Sequence, residues 1–375
     1  MATVLDWRRS DDPSDYVHQA VEGLTQGRLV IVPTETCYIA IASALREAAV
    51  KSLSDLCGSD QSPLCILPRS PEESSDYVPN FSPGALRLAQ KVWPGPLVIQ
   101  HANGSKASTI DCLSSQTRNA IETVDRQVRL WQPGNEILGY ISRLFSGPIV
   151  GGLPMRSRGI LTEVTGLAKA EDLLIIDNGS IDGIGAPTVV SIDGTRGRIL
   201  DQGVLVLEQL QALSQLLILL VCTGNTCRSP MAAALMRKKV AERFGGEADT
   251  VPVSVASAGV SAAPGDPASI GARNAIRNYG MSLDRHQSTQ IHPYMIEQAD
   301  LVLVMGHRHR NVLCSQWPEY SDKIFLLAGD ESEISDPFGG PAEVYEHCAK
   351  QLDRHTSSWV ERLDPSSVIR WESGV

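Results

Sequence analysis

Apolar positions fall into two different patterns along the chain, and the pattern changes between residues 207 and 215. In the first part, short apolar runs are mixed with stretches in which apolar residues recur at helical spacing. Such a mixture predicts an α/β or α+β domain, because short apolar runs bounded by turn residues form buried strands. The predicted strands are 29–32, 148–150, 173–176 and 188–190, and the predicted helices are 44–56 and 85–92.

The second part begins with an unbroken apolar run. Every residue of 216–221 is apolar, which is typical of a central parallel strand that is covered on both faces. Further predicted strands alternate with predicted helices, and this alternation favours a doubly wound parallel sheet. We therefore predict two domains, 1–208 and 209–375, with the parallel sheet in the second. The further strands are 251–256, 301–305 and 323–327, and the helices are 230–244, 267–279, 292–298 and 341–363.

The candidate chemistry lies where the apolar run of the second part ends. The spacing Cys-x5-Arg occurs at Cys222 and Arg228, and again at Cys112 and Arg118. Only Cys222 follows an apolar strand and precedes a predicted helix, and only its loop contains a glycine. Backbone N–H groups at the start of a helix converge on an anion, and the helix dipole strengthens the attraction. We therefore predict a phosphate-binding loop after Cys222 and interpret the spacing at Cys112 as coincidental.

The residue types of this loop suit nucleophilic catalysis on a phosphate. The same field favours the thiolate of Cys222, and Ser229 can donate a hydrogen bond to it. Arg228 offers a planar fork that holds two phosphoryl oxygens, and Gly224 and Asn225 tolerate the left-handed backbone that such loops need. The alternative is a buried structural cysteine beside a helix N-cap. The predicted phosphate-binding or supporting residues are Thr223, Gly224, Asn225, Thr226, Cys227 and Ser229.

A leaving group needs a proton, and the segment 336–340 (DPFGG) offers a donor in Asp336. Pro337 restricts Asp336 to an extended conformation, and the two glycines form a loop that can overhang a site. As a general acid, Asp336 would protonate the departing atom, and as a base it would then activate water against the phosphoenzyme. Taken alone, an Asp-Pro pair more often forms a plain turn.

Composition narrows the class of function. The chain has 375 residues and a net charge of −10, and both parts are acidic, which argues against a nucleic-acid-binding protein. The polar start predicts no signal peptide, and no apolar run approaches the ~20 residues of a membrane span. We expect free thiols in a reducing cytoplasm. We expect no bound metal, because no cysteines have zinc-site spacing, and we expect no cofactor. Surface or helix-capping roles are expected for His286, His292, His307, His309 and His347.

The second part resembles the low-molecular-weight protein tyrosine phosphatases over about residues 215–365. The resemblance implies that Cys222 is the nucleophile, that Arg228 binds the phosphate and that Ser229 supports the thiolate. It also implies that Asp336 is the acid and that the substrate is a phosphorylated protein. The segments that carry the resemblance are VCTGNTCRSPMAAAL from 221, SAGV at 257–260, ADLVLVM at 299–305 and DPFGG at 336–340.

Two positions bear on which phosphorylated residue is hydrolysed. Many tyrosine phosphatases of this family have a bulky aliphatic residue where this chain has Thr226, whereas the protein-arginine phosphatases, which look like a branch of the same family, have threonine. The aromatic pair of several tyrosine-specific members appears here as Phe338-Gly339, which leaves one aromatic wall. Phosphoarginine and phosphotyrosine both stay open. Cys227 is either a redox partner that forms a reversible disulfide with the nucleophile, as the resemblance implies, or a small buried loop residue.

Residues from about 20 to 205 resemble the YrdC-like family, which makes threonylcarbamoyl-adenylate from threonine, bicarbonate and ATP for tRNA modification. The resemblance implies an α/β domain with a twisted sheet. The segments that carry it are 33–38 (PTETCY), 62–64 (SPL), 93–97 (WPGPL) and 186–190 (APTVV).

Several residues that carry the chemistry of that family are replaced. Its Lys-x-Arg motif falls on 57–59 (CGS), so two cations that would balance a triphosphate are lost. Arg156 and Arg158 could substitute, although nothing in the sequence places them. We predict a domain without synthase activity; the alternatives are a bifunctional enzyme and a binding protein in which both sites are inactive. The other replacements are Ile39 for a glycine, 153–155 (LPM) for Ser-Ala-Asn, and Pro187 for a serine.

Overall fold

The computed structural model describes residues 2–9, 12–58, 63–104, 107–154, 163–164, 173–181, 185–246, 251–329 and 332–372. Predictions that concern Ser59, Ser62, Met155, Arg156 and Arg158 lie outside these residues. Within the described ranges, no helix has both the length and the apolar character needed to span a bilayer. The chain forms two compact units. Unit 1 comprises Met1–Ser214 and Ile369–Val375, and unit 2 comprises Gln215–Val368.

The described strands and helices alternate along most of the chain. The strands are β1 (Thr3–Asp6), β2 (Leu29–Pro33), β3 (Tyr38–Ser43), β4 (Cys65–Ile66), β5 (Leu97–Ala102), β6 (Gln127–Leu130), β7 (Ile149–Gly152), β8 (Leu173–Asp177), β9 (Thr188–Asp193), β10 (Arg196–Asp201), β11 (Leu216–Cys222), β12 (Val253–Gly259), β13 (Leu301–Val304), β14 (Ile324–Leu326) and β15 (Arg370–Trp371). The helices are α1 (Pro13–Gln26), α2 (Glu47–Cys57), α3 (Ser74–Tyr77), α4 (Pro83–Val92), α5 (Ser115–Ile121), α6 (Glu136–Leu144), α7 (Leu207–Ser214), α8 (Arg228–Phe244), α9 (Ile270–Arg277), α10 (Pro293–Gln298), α11 (His307–Gln316) and α12 (Ala342–Arg362).

Unit 1 is built on one mixed sheet. Among the described strands its order is β1-β8-β2-β3-β7-β4-β6-β5-β9-β10-β15. β2 and β3 are buried at every position, because apolar side chains cover both faces of the sheet. Neighbouring residues of β2 enter different clusters, Ile31 on one face and Val30 on the other. The predicted strands are confirmed as β2, β7, β8 and β9, and the predicted helices as α2 and α4.

The two units divide between Ser214 and Gln215, whereas we predicted a boundary between residues 208 and 209. Helix α7 belongs to unit 1 because Leu210 is fully buried in its core. After unit 2 the chain returns to the same core through Ile369, and β15 pairs with β10. The indole Nε1 of Trp371 donates to Ser214 Oγ at 2.8 Å, so the two ends of the inserted segment are joined. Unit 2 is therefore an insertion in the chain of unit 1.

Unit 2 contains a parallel sheet in the order β12-β11-β13-β14 among its described strands. The predicted apolar run forms β11, which lies in the middle of this sheet. Ile218 belongs to a core cluster with residues of α8, α9 and α12 on one face, and Leu219 belongs to a cluster with residues of α10 and α11 on the other. The predicted doubly wound sheet is thus confirmed. Cys222 ends β11, so the loop that follows it lies at the carboxyl edge of the sheet.

Helix α11 was not among the predicted helices. Its sequence is HRHRNVLCSQ, and only His309 and Leu313 of its residues are buried. Two buried positions one turn apart are too few to produce a visible apolar period, and the first of them is polar. Helix α11 is important for the candidate site because His309 lies beside that site.

Candidate active site

The sulfur of Cys222 lies in the turn between β11 and α8. The side chain is buried, and Sγ accepts a hydrogen bond from the backbone N–H of Asn225 at 3.2 Å. Ser229 Oγ lies 3.0 Å from the same sulfur. Ser229 is the second residue of α8, so the helix start presents a hydroxyl to the sulfur as the sequence predicted. The Asn225 N–H therefore donates to Cys222, and the Ser229 hydroxyl, which also lies 3.2 Å from the carbonyl oxygen of Ala258, can turn its proton to a sulfur anion and stabilise it.

Asn225 holds the loop in a left-handed turn. Its φ is +54°, and its side chain is fully buried. Nδ2 donates to Ser229 Oγ at 2.8 Å and to Ser257 Oγ at 3.0 Å, while Oδ1 accepts from the N–H of Thr289 at 2.8 Å. The carbonyl oxygen lies 2.7 Å from His286 Nε2. Segments far apart in the sequence therefore hold Asn225 in its left-handed conformation, which is unfavourable for a residue other than glycine.

Two glycines, Gly224 and Gly259, lie at this loop in different surroundings. Of the two residues that tolerate a left-handed backbone, Asn225 has a positive φ and Gly224 does not. A Cβ at Gly224 would meet nothing closer than Thr226 Oγ1 at 3.7 Å. Gly259, at the end of β12, is the crowded position: a Cβ there would lie 2.4 Å from Thr223 O. The absence of a side chain at Gly259 therefore lets β12 approach the loop. In the sequence, Gly259 appeared only as part of the SAGV segment that carries the family resemblance.

Arg228 and Asp336 meet at the mouth of the loop. Arg228 begins α8 and is largely buried, and its Nη2 donates to Asp336 Oδ2 at 2.5 Å and to Thr223 Oγ1 at 3.4 Å. The Asp336 side chain is 51% exposed, and its Oδ1 accepts from the N–H of Phe338 at 3.2 Å. The predicted acid, Asp336, therefore forms an ion pair with the predicted phosphate-binding residue, Arg228, although 108 residues separate them in the sequence.

The remaining loop residues connect the site to α9 and α12. The carbonyl of Thr226 accepts from the N–H of Ser269 at 2.9 Å, and Thr226 itself is partly exposed. Cys227 is buried, with Sγ 3.3 Å from Ser269 Oγ and 3.7 Å from the hydroxyl of Tyr345. Burial raises the pKa of Tyr345, so this hydroxyl stays protonated at neutral pH. Cys222 and Cys227 are both free thiols in this structure.

The structure corrects the expectation for two histidines. His286 is half-buried against the loop, and His309 is 5% exposed, with Nε2 2.9 Å from Thr223 Oγ1. Burial and, second, the charge of Arg228 lower the pKa of His309, so its imidazole is neutral at neutral pH. Burial also lowers the pKa of His286. The described residues contain no group of three or more side chains that could hold a metal ion. The other three histidines of the expectation, His292, His307 and His347, are exposed.

Unit 1 contains a cavity of about 290 Å³ at the positions where the YrdC-like resemblance expects polar chemistry. Cys57, Leu153 and Pro187 all line it, together with Cys65. Burial raises the pKa of Cys57 to about 12 and that of Cys65 to about 11, so both thiols are uncharged at neutral pH. Arg129 and Asp201 are the charged residues among the described lining. This lining is poorly matched to a triphosphate.

Comparison with known proteins gives one family for each unit. Residues 217–368 match the family described as low molecular weight phosphotyrosine protein phosphatase. Residues 22–203 match the Sua5, YciO and YrdC family, described as telomere recombination. This confirms both resemblances.

Three relatives illustrate the similarity, and each matches less than half of this chain. The protein-arginine-phosphatase of Bacillus subtilis is 41% identical over 140 residues, which are 36% of this chain and 89% of that protein. The protein-arginine-phosphatase of Geobacillus stearothermophilus is 40% identical over 39% of this chain and 95% of its own length. The low molecular weight protein-tyrosine-phosphatase Etp of Escherichia coli is 33% identical over 39% of this chain and 93% of its own length.

Proposed function

The chain belongs, through residues 217–368, to the low molecular weight phosphotyrosine protein phosphatase family, and we propose that it hydrolyses phosphoarginine in proteins through a cysteinyl-phosphate on Cys222. One observation carries the assignment of the nucleophile. Cys222 Sγ accepts a hydrogen bond from the Asn225 N–H and lies beside the Ser229 hydroxyl. A thiolate held in this way at a helix N-terminus can attack phosphorus.

The proposed reaction has two steps. In the first, the thiolate of Cys222 attacks phosphorus, an S–P bond forms and the bond from phosphorus to the leaving nitrogen or oxygen breaks. Asp336 gives its proton to the leaving atom, and Arg228 neutralises charge on the phosphoryl oxygens. In the second, Asp336 accepts a proton from water, which attacks phosphorus, and the thiolate leaves. Phosphoryl oxygens would replace Asp336 on Arg228, because the guanidinium can hold two oxygens in parallel.

The preference for phosphoarginine is supported by Thr226 and by the degree of similarity. Thr226 is partly exposed on the loop, and its Oγ1 lies 3.7 Å from Cys227 Sγ; a hydroxyl can hydrogen-bond a substrate guanidinium or water, which an aliphatic side chain cannot. Identity to two protein-arginine-phosphatases is 41% and 40%, against 33% for the tyrosine phosphatase Etp. Phosphotyrosine is the second candidate, because Phe338 is 79% exposed beside Asp336 and offers an aromatic surface to a phenyl ring.

Substitution Thr226→Ile is expected to lower kcat/KM for a phosphoarginine peptide by about 10-fold, because one hydrogen bond is lost in the transition state. The same substitution is expected to leave turnover of a phosphotyrosine peptide unchanged or to raise it. Steady-state kinetics on the two peptides measure both. Thr226→Ser keeps the hydroxyl and should resemble the wild type, whereas Thr226→Val keeps the shape and should resemble Thr226→Ile. A wild type that does not hydrolyse phosphoarginine would sink the proposal and leave phosphotyrosine.

For unit 1 we propose a YrdC-like domain without threonylcarbamoyl-adenylate synthase activity, acting as a scaffold or ligand-sensing module. The support is the cavity in which Cys57 replaces a cation and in which Cys57 and Cys65 are neutral thiols. The full chain with Cys222→Ser is expected to release no pyrophosphate from ATP when threonine and bicarbonate are added. The serine variant prevents hydrolysis of phosphate esters by unit 2 from obscuring the assay. Threonine-dependent pyrophosphate release would instead support a bifunctional enzyme.

A further inference from the structure

The hydroxyl of Thr223 lies between the imidazole of His309 and the guanidinium of Arg228. His309 Nε2 is 2.9 Å from Thr223 Oγ1, and Arg228 Nη2 donates to the same oxygen at 3.4 Å. A guanidinium has donors only, so the hydroxyl is the acceptor on that side. The hydroxyl and the imidazole share the second hydrogen bond. Thr223 therefore bridges a buried histidine to the residue that would hold the phosphate.

Burying the imidazole of His309 lowers the stability of the fold, so its presence calls for a reason other than packing. The residue is 5% exposed, and its Nδ1 is buried without a hydrogen bond of good geometry among the described residues. A buried polar group that is only partly satisfied lowers stability, and a leucine would fill the same space without that cost. Leu313, one turn further along α11, is fully buried and already anchors the helix. Helix packing alone therefore does not require an imidazole at this position.

The start of α11 is held so that His309 cannot drift from the loop. The N–H of His307 donates to Glu333 Oε1 at 2.5 Å, which satisfies a free donor of the first turn. A Cβ at Gly306 would lie 2.9 Å from the same carboxylate, so the absence of a side chain permits this approach. Among the described residues, the acidic groups that influence the pKa of His309 are Glu333 and Asp336, and the basic group is Arg228. A neutral imidazole adds no repulsion to Arg228.

We propose that His309 is a positioning residue for the phosphate clamp: it orients the Thr223 hydroxyl, which in turn orients the guanidinium of Arg228. The inference rests on the proposed function of this site. Its effect is greatest when Asp336 leaves Arg228 to protonate the leaving group, because Thr223 is then the remaining side-chain partner among those described for Nη2. The side-chain hydrogen bond described for His309 is with Thr223, so His309 acts on the clamp through Thr223.

Binding of inorganic phosphate to the full chain tests the inference without requiring turnover. His309→Leu and Thr223→Val are each expected to raise the Kd for phosphate, measured by isothermal titration calorimetry, by about 5- to 10-fold. The double variant is expected to be no weaker than the weaker single variant, because both changes remove the same bridge. His309→Gln places an amide nitrogen near the position of Nε2 and should restore affinity to within about twofold. His347→Leu, at an exposed position on α12, is the control and should bind as the wild type does.

Three outcomes would overturn the inference: unchanged affinity in Thr223→Val, additive losses in the double variant, or failure of His309→Gln to restore binding. If His309→Leu does not fold, as judged by its melting transition, Thr223→Val and His309→Gln still decide the question. A different result would contradict the proposed function of the site. A wild type that binds phosphate but hydrolyses neither phosphoarginine nor phosphotyrosine would contradict that function and leave the phosphate-binding comparison intact.

Discussion

Replacing Cys222 by serine is expected to lower kcat by at least about 10⁴-fold on every phosphomonoester substrate, because a serine hydroxyl is not ionised at neutral pH and is a much weaker nucleophile. The surrounding donors stay in place, since Asn225 and Ser229 are held by bonds that do not involve the sulfur. Inorganic phosphate should therefore still bind, within a few fold of the wild-type Kd. Acid quenching of the wild type during turnover should trap phosphate on the chain, and the variant should trap none.

Cys112→Ser is the matched control for this experiment. Cys112 precedes Arg118 with the same Cys-x5-Arg spacing, but it is exposed and lies in unit 1. The variant should keep full activity, because spacing without an apolar strand and a helix start makes no anion cradle. A Cys222→Ser protein that retains more than about one tenth of wild-type kcat would show that another group is the nucleophile.

Arg228→Lys is expected to lower kcat/KM by about 10²- to 10³-fold although the positive charge is kept. A lysine has one flexible ammonium group, whereas the guanidinium can hold two phosphoryl oxygens in a plane. In the structure, Arg228 Nη2 alone contacts both Asp336 and Thr223, and a lysine has no second nitrogen in the same plane for another phosphoryl oxygen. Steady-state kinetics with a chromogenic phosphomonoester measure the loss, and phosphate titration should show a weaker Kd.

Arg277→Lys provides the comparison at an exposed position. Arg277 Nη2 lies 3.3 Å from Asp284, and the two side chains are 58% and 52% exposed. Such surface pairs contribute little, so activity should stay within about twofold of the wild type. If Arg228→Lys were equally mild, Arg228 would be acting as a general positive charge rather than as a geometric clamp.

The insertion of unit 2 into unit 1 affects how variants of this protein are designed. Ile369 and Trp371 follow the phosphatase family region, yet they pack in the core or on the sheet of unit 1. A fragment that ends at residue 208 or begins at residue 209 would separate Leu210 from the core in which it is buried. The experiments above therefore use the full chain.

The sequence alone predicted the architecture of unit 2 and the place of its candidate phosphate loop. The unbroken apolar run of 216–221 predicted the central strand β11, because only a strand covered on both faces is apolar at every position. The alternation of strands and helices then predicted the doubly wound sheet, and the strand–loop–helix context distinguished Cys222 from Cys112. These features are local in the chain, so a pattern of neighbouring residues is enough to reveal them.

The tertiary structure decided which distant residues support that loop. Thr289 and His309 reach it from 64 and 86 residues away, and Gly259 allows β12 to approach it through the absence of a side chain. Trp371 returns to Ser214 across 157 residues, which no composition change at residues 207–215 could reveal. The physical reason is the same in each case: hydrogen bonds and close packing depend on separation in space. A folded chain brings together residues whose order in the sequence carries no record of that proximity.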